Sequence, residues 1–186
     1  MLHVIYVPGL GDSRPYGQKG ITWFWRLFGL KVHYFPLGWA DGEAYAPKFK
    51  RLLAKIDSFD KVALVGVSAG ASAVLNAYSV RPNLVGVVCI SGKIQNPQTI
   101  HPRRFEINPA FKDSVFGVQD NLKKLKPSER HRIMSIHPLY DQTVPIKDTI
   151  VSGAVERVVH VRGHITSIYY TIIFKAPTIY RFLKNT

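Results

Sequence analysis

The chain has 186 residues, 46% hydrophobic and 20% charged. That balance fits one domain with a buried core and excludes a disordered or fibrous chain. Lys and Arg number 25 against 12 Asp and Glu, a formal net charge of +13, so the surface attracts anions; the single cysteine, Cys89, excludes an internal disulfide framework and points to a reducing compartment.

Residues 3–7 are a β-branched run closed by Pro8-Gly9 and predict a first strand. It starts almost at once, without the zones of a signal peptide, so a cytoplasmic location is expected. The aromatic stretch 21–28 predicts a helix, and 31–35 predicts a second strand closed by Pro36. From 44 to 59, Phe49, Leu52, Leu53, Ile56 and Phe59 fall at helical spacing, with Lys48, Lys50, Arg51 and Lys55 mostly opposite. Residues 61–67 read as a third strand, apolar without alternation, as strands buried on both faces are. A small-residue helix over 69–80 ends before Pro82, and 84–91 predicts a fourth strand.

The segment 92–129 breaks this rhythm. It contains Pro97, Pro102, Pro109 and Pro127 with weak periodicity. It is expected to be one or two short helices with loops, inserted over the sheet edge as a small lid. Strands at 132–137 and 155–161 follow, then a helix from 165 interrupted near Pro177. No apolar stretch approaches the ~18–20 residues that span a bilayer. Strands alternating with helices predict a single α/β domain over 1–186, a parallel sheet covered on both faces, with ligands beyond the carboxyl ends of the strands.

Three positions satisfy that placement. Gly66-Val67-Ser68-Ala69-Gly70 matches G-x-S-x-G, a sharp strand-to-helix turn that lifts a serine hydroxyl out of the sheet. A serine nucleophile needs a base, and His164 follows the sixth strand. His137 ends the fifth strand and is its main competitor, whereas His3, His33 and His160 lie within strands. The base needs an orienting carboxylate, and Asp141 follows the fifth strand; Asp113 and Asp120 are rivals in the inserted segment. An oxyanion hole needs two donors, expected from the backbone N–H of Ala69 and that of Leu10, with Gly11 the alternative.

The chain resembles the α/β-hydrolase superfamily over nearly its whole length. The resemblance rests on Pro8-Gly9-Leu10-Gly11, Gly66 to Gly70, Asp141 to Pro145, Gly163-His164 and the chain order Ser68, Asp141, His164. Within the superfamily it is similar to short, cap-poor members such as retinoblastoma-binding-protein-9-like serine hydrolases and small esterases. It departs in having Pro8-Gly9 where His-Gly is frequent, and in lacking room for two extra N-terminal strands. The resemblance implies a minimal three-layer α/β/α sandwich, its six-stranded, mainly parallel sheet ordered 2-1-3-4-5-6. It implies an esterase or thioesterase acting through an acyl-enzyme on Ser68, with Asp141 and His164, and with no metal or organic cofactor. An acyltransferase or peptidase with the same triad is the alternative. So is a non-catalytic module binding anionic partners through the basic runs Lys48–Lys55 and Lys123–Arg132. Tyr16, Trp23, Phe24, Trp25 and Trp39 are candidates for an acyl pocket or for the core.

Overall fold

The computed structural model describes residues 1–14 and 17–186. The elements run β1 (Leu2–Val7), α1 (Gln18–Trp23) with a 3-10 turn (Phe24–Phe28), β2 (Leu30–Tyr34), α2 (Tyr45–Asp57), β3 (Val62–Val67), α3 (Gly70–Val80) and β4 (Val87–Ile90). They continue with α4 (Pro102–Ile107), α5 (Pro109–Lys124), α6 (Pro127–Arg130), β5 (Ile133–Tyr140), β6 (Val155–Arg162), α7 (His164–Phe174) and α8 (Ala176–Lys184). One sheet orders the strands β2-β1-β3-β4-β5-β6 with every pairing parallel, as expected.

Alternate side chains of the central strands supply two cores. Ile5, Val7, Val62, Leu64, Val87 and Cys89 face one side, against Leu52 and Ile56 of α2, α3, and Val115 and Val118 of α5. Val4, Tyr6, Ala63, Val65, Val88 and Ile90 face the other, against Trp25, Ile168 and Ile172 of α7, and Ile179 and Leu183 of α8. Residues buried on both faces explain the unbroken apolar runs. Each Leu or Ile so buried contributes about 1.5–3 kcal/mol.

The inserted segment differs from its expectation. Its C-terminal half is the 16-residue helix α5, whose Phe111, Ser114, Val115, Val118 and Leu122 are buried. It lies on α3, where Ser72 and Ser114 share a hydroxyl hydrogen bond of 2.7 Å and Asn76 donates to Ser114 O at 2.9 Å. This helix is therefore part of the core layer. Its opening Pro109 belongs to the first turn, where the missing N–H costs nothing. Lys93 and the stretch around residues 99–111 line a cleft beyond the sheet's carboxyl edge.

Candidate functional site

The turn between β3 and α3 is built from absent side chains. A Cβ on Gly70 would lie 2.2 Å from Val7 O and 2.7 Å from Pro8 O. One on Gly66 would lie 2.6 Å from Gly70 O, and one on Gly9 would lie 2.8 Å from Ser68 Cβ. Helix α3 is thereby drawn against the end of β1. Ser68 takes φ 51°, left-handed backbone that costs a non-glycine residue about 1–3 kcal/mol. It is held there from both sides: its N–H donates to Ile90 O at 2.9 Å, and its carbonyl accepts from Lys93 N–H at 3.2 Å.

The Ser68 hydroxyl lies 2.9 Å from His164 Nε2, and His164 Nδ1 lies 2.6 Å from Asp141 Oδ2. Asp141 directly follows β5, and its other oxygen accepts from the N–H groups of Thr143 and Val144, each at 2.8 Å. Burial pushes the Asp141 carboxyl up, but the His164 bond and the Val144 and Thr143 N–H groups outweigh it and hold its pKa below the usual value. A carboxylate only accepts hydrogen bonds, so His164 Nδ1 carries the proton. In the neutral imidazole Nε2 is then an acceptor facing the Ser68 O–H. His164 opens α7, and Gly163 before it takes φ 97°. Three residues expected from separate strand ends thus form one hydrogen-bonded chain.

The rivals lie elsewhere. His137 Nε2 meets Glu156 Oε1 at 2.7 Å, and its Nδ1 meets Pro138 O at 2.9 Å. His3 and His33 stack on one another at 5.1 Å, and His160 is exposed on β6. Asp120 pairs with Lys123 on the outer face of α5, and Asp113 is exposed on the same helix.

Ser68 sits between two clefts. One of about 440 Å³ is lined by Leu10, Ala69, Lys93, Ile100, Phe111 and Val144, among others. The second, of about 560 Å³, runs past His164 and is lined by Gly9, Leu10, Ile165, Ile168 and Tyr169. Both volumes suit a small organic ligand. Among the described residues no Asp or Glu lines either cleft, and Arg104 of α4 borders both. The first N–H groups of a helix have no intrahelical acceptor, and Ala69 is the residue at the N-cap of α3. The β1 turn opposite is braced by Asp12, which accepts from Gly38 N–H at 2.7 Å and Trp39 N–H at 3.3 Å. The Trp39 indole donates to Pro8 O at 3.2 Å.

Of the aromatic residues considered for an acyl pocket, the four described ones line neither cleft. Trp25 and Trp39 are core residues, Trp23 and Phe24 are exposed, and Tyr16 lies outside the described residues. Phe111, Ile100 and Ile168 supply the apolar walls instead. Sequence reading missed Phe111 because the four prolines of 92–129 obscured helix α5. It also missed Lys93 and Asp148, a buried pair at 2.5 Å beside the first cleft, with Asn96 donating to Asp148 Oδ1 at 2.5 Å. Among the described residues no group of three or more His, Cys, Asp or Glu side chains is placed to hold a metal.

No protein-family model matches the chain, and no curated protein aligns with it. Solved structures do match. The chain is similar to Est1E from Butyrivibrio proteoclasticus with a TM-score of 0.73 and 12% identity, over 99% of this chain and 87% of that one. It is similar to the esterase domain of a Rhodothermus marinus protein with a TM-score of 0.73 and 13% identity, again over 99% and 87%. An alpha/beta hydrolase enzyme from the metagenome of lagoon sediments of Mar Chica, Morocco, matches with a TM-score of 0.61 and 13% identity, over 99% and 89%.

Proposed function

We propose that this chain, which has the α/β-hydrolase fold, is a serine hydrolase that cleaves a small carboxylic ester or thioester through an acyl-enzyme on Ser68. The observation that carries the reading is the Ser68–His164–Asp141 chain, 2.9 and 2.6 Å long, at the mouth of two clefts. Two of the similar structures are named as an esterase domain and as Est1E, which supports ester chemistry.

In this mechanism Ser68 Oγ attacks the substrate carbonyl while His164 Nε2 takes its proton. Asp141 keeps the imidazole in the required tautomer and stabilises its cationic form. The carbonyl oxygen becomes an oxyanion, which accepts from the N–H groups of Ala69 and Leu10. One such donor is worth roughly 3–4 kcal/mol in the transition state. The imidazolium gives its proton to the leaving alcohol or thiol. Water, deprotonated by His164, then attacks the acyl-enzyme and releases the acid. The clefts on either side of Ser68 would hold the acyl and leaving groups. No step needs a metal or organic cofactor.

Fluorophosphonate labelling and p-nitrophenyl acetate hydrolysis of the native chain beside Ser68→Ala test this. Both should disappear in the variant while the melting temperature holds or rises, because the strain at φ 51° is not increased by Ala. Labelling that persists in Ser68→Ala would refute the nucleophile.

A further inference from the structure

The acidic residues are unevenly placed. Stretches 13–40 and 157–186 contain none of the 12 Asp and Glu, yet they hold nine of the 25 Lys and Arg. These stretches are distant in sequence and adjacent in space. They include α1 with its 3-10 turn, α7 and α8, the layer that covers one face of the sheet, and five of the nine cations, Lys19, Arg26, Lys175, Arg181 and Lys184, stand on that layer. The Trp25 indole, which donates to Ile172 O at 2.6 Å, ties the two together. None of the nine cations makes an ion pair with a described residue. Three lie over aromatic rings instead: Arg26 on Trp23 at 5.2 Å, Lys175 on Tyr170 at 5.4 Å and Lys184 on Tyr180 at 5.9 Å.

The same layer presents large apolar side chains to solvent. Trp23 is 54% exposed, Leu27 78%, Ile165 62% and Phe174 62%, with Phe24 and Ile173 beside them. Helix α7 contains no Lys, Arg, Asp or Glu in its eleven residues. A surface helix ordinarily carries a polar outer face, and apolar groups gathered on one surface mark an interaction site.

We propose that this face docks on an anionic lipid bilayer. The exposed Trp, Phe, Leu and Ile side chains would enter the headgroup boundary, and the cations would sit at the lipid phosphates and carboxylates. The composition favours this occupant over the others. A second copy packed face to face would oppose five cations to five. Nucleic acid would satisfy the cations but offers nothing for Leu27, Ile165 and Ile173. Ile165 also lines the second cleft beside Ser68, so docking would set that cleft at the lipid surface. Binding itself does not rest on the hydrolase reading.

Trp23 reports on docking, because Trp25 and Trp39 are 1% and 0% exposed. The full chain is titrated with phosphatidylcholine vesicles and with vesicles holding 30% phosphatidylserine, in 0.1 M NaCl. The expected result is a blue shift of emission, and quenching by brominated acyl chains, with the anionic vesicles only; NaCl at 0.5 M should reverse both. A Lys or Arg at the surface contributes about 1 kcal/mol, roughly fivefold in partitioning. The triple variant Lys19→Gln, Arg26→Gln, Lys175→Gln should therefore bind on the order of a hundredfold more weakly. Leu27→Ser with Phe174→Ser should abolish quenching by brominated chains with all cations kept. A melting curve shows that each variant is folded, and the salt reversal tests the charge argument on the native chain alone. Equal response to both vesicle types, no response, or a duplex oligonucleotide shifting Trp23 where vesicles do not would overturn the proposal. So would concentration-dependent dimerisation that buries Trp23 without lipid.

Discussion

Replacing Asp141 by Asn separates the electrostatic part of the site from its architecture. The Asn oxygen keeps the two 2.8 Å hydrogen bonds from Thr143 and Val144. Its NH2 group then faces His164 Nδ1, where Oδ2 stands at 2.6 Å. A donor there makes Nδ1 the acceptor and moves the imidazole proton to Nε2. The nitrogen facing Ser68 Oγ can no longer take a proton. The cost expected for the wrong tautomer is on the order of 10⁴-fold in kcat, about 5.4 kcal/mol, with KM nearly unchanged. Stability should fall by only about 1 kcal/mol, the charge assistance of the two bonds, or roughly 2–4 °C in Tm for a domain of this size. Asp141→Ala removes the acceptor and leaves two N–H groups unpaired, which costs about 2 kcal/mol and roughly 4–8 °C.

The pH dependence of that stability has a definite sign. The folded pKa of Asp141 lies below its ordinary value, so its contribution is present above the unfolded pKa of about 3.9 and is lost as pH falls through the folded one. The Tm gap between the native chain and Asp141→Asn should therefore narrow below about pH 4. The assays are steady-state p-nitrophenyl ester kinetics and calorimetry at neutral and acid pH. Asp141→Asn with full kcat would place the orienting acid elsewhere and sink the argument.

Other outcomes follow from the same geometry. Gly70→Ala drives a Cβ to 2.2 Å from the backbone of β1 and should cost about 3 kcal/mol, read as a Tm fall of roughly 6–12 °C. An unchanged Tm would mean the turn relaxes freely. Gly9→Ala brings a Cβ to 2.8 Å from Ser68 Cβ, 3.2 Å from Val67 O and 3.4 Å from Ser68 Oγ; it should lower kcat about 100-fold through misplacement of Ser68, with a far smaller Tm change than Gly70→Ala. Lys93→Met strands the buried Asp148 carboxylate with the Asn96 amide and should cost about 3–5 kcal/mol. Adding Asp148→Asn should restore most of that Tm, and a double variant no better than the single one would refute the pairing argument.

What the sequence disclosed and what it hid divide along a physical line. Strands such as Val62–Val67 are legible because burial on both faces demands a short, unbroken apolar run rich in β-branched residues. The site is legible for a similar reason. Parallel strands deliver their next residues to one edge, so Ser68, Asp141 and His164 meet although 73 and 23 positions separate them in order. Helix α5 was not legible. Phe111, Val115, Val118 and Leu122 keep helical spacing, but the buried Ser114, paired with Ser72, and the exposed Phe116 blur it, and the prolines on either side suggest loops. The cleft walls inherit that blindness, since Phe111 stands on α5.

Charge was misread for a different reason. The run Lys48–Lys55 looks like a basic face, but Lys48 is fully buried, its ammonium held by Leu37 O, Gly38 O and Asp41 Oδ1 at 3.1, 2.7 and 2.5 Å. Arg51 is bound to Glu43. In the second run, Lys123 pairs with Asp120, and Arg130 donates to Leu122 O at 2.6 Å and Leu125 O at 3.2 Å. Clustered cations in sequence are thus partly spent on caps and ion pairs. The face with no carboxylate to spend them on is assembled from two stretches more than a hundred residues apart, each only sparsely basic. An electrostatic surface depends on which opposite charges are absent nearby in space. That absence becomes visible only when α1, α7 and α8 are seen to share one layer.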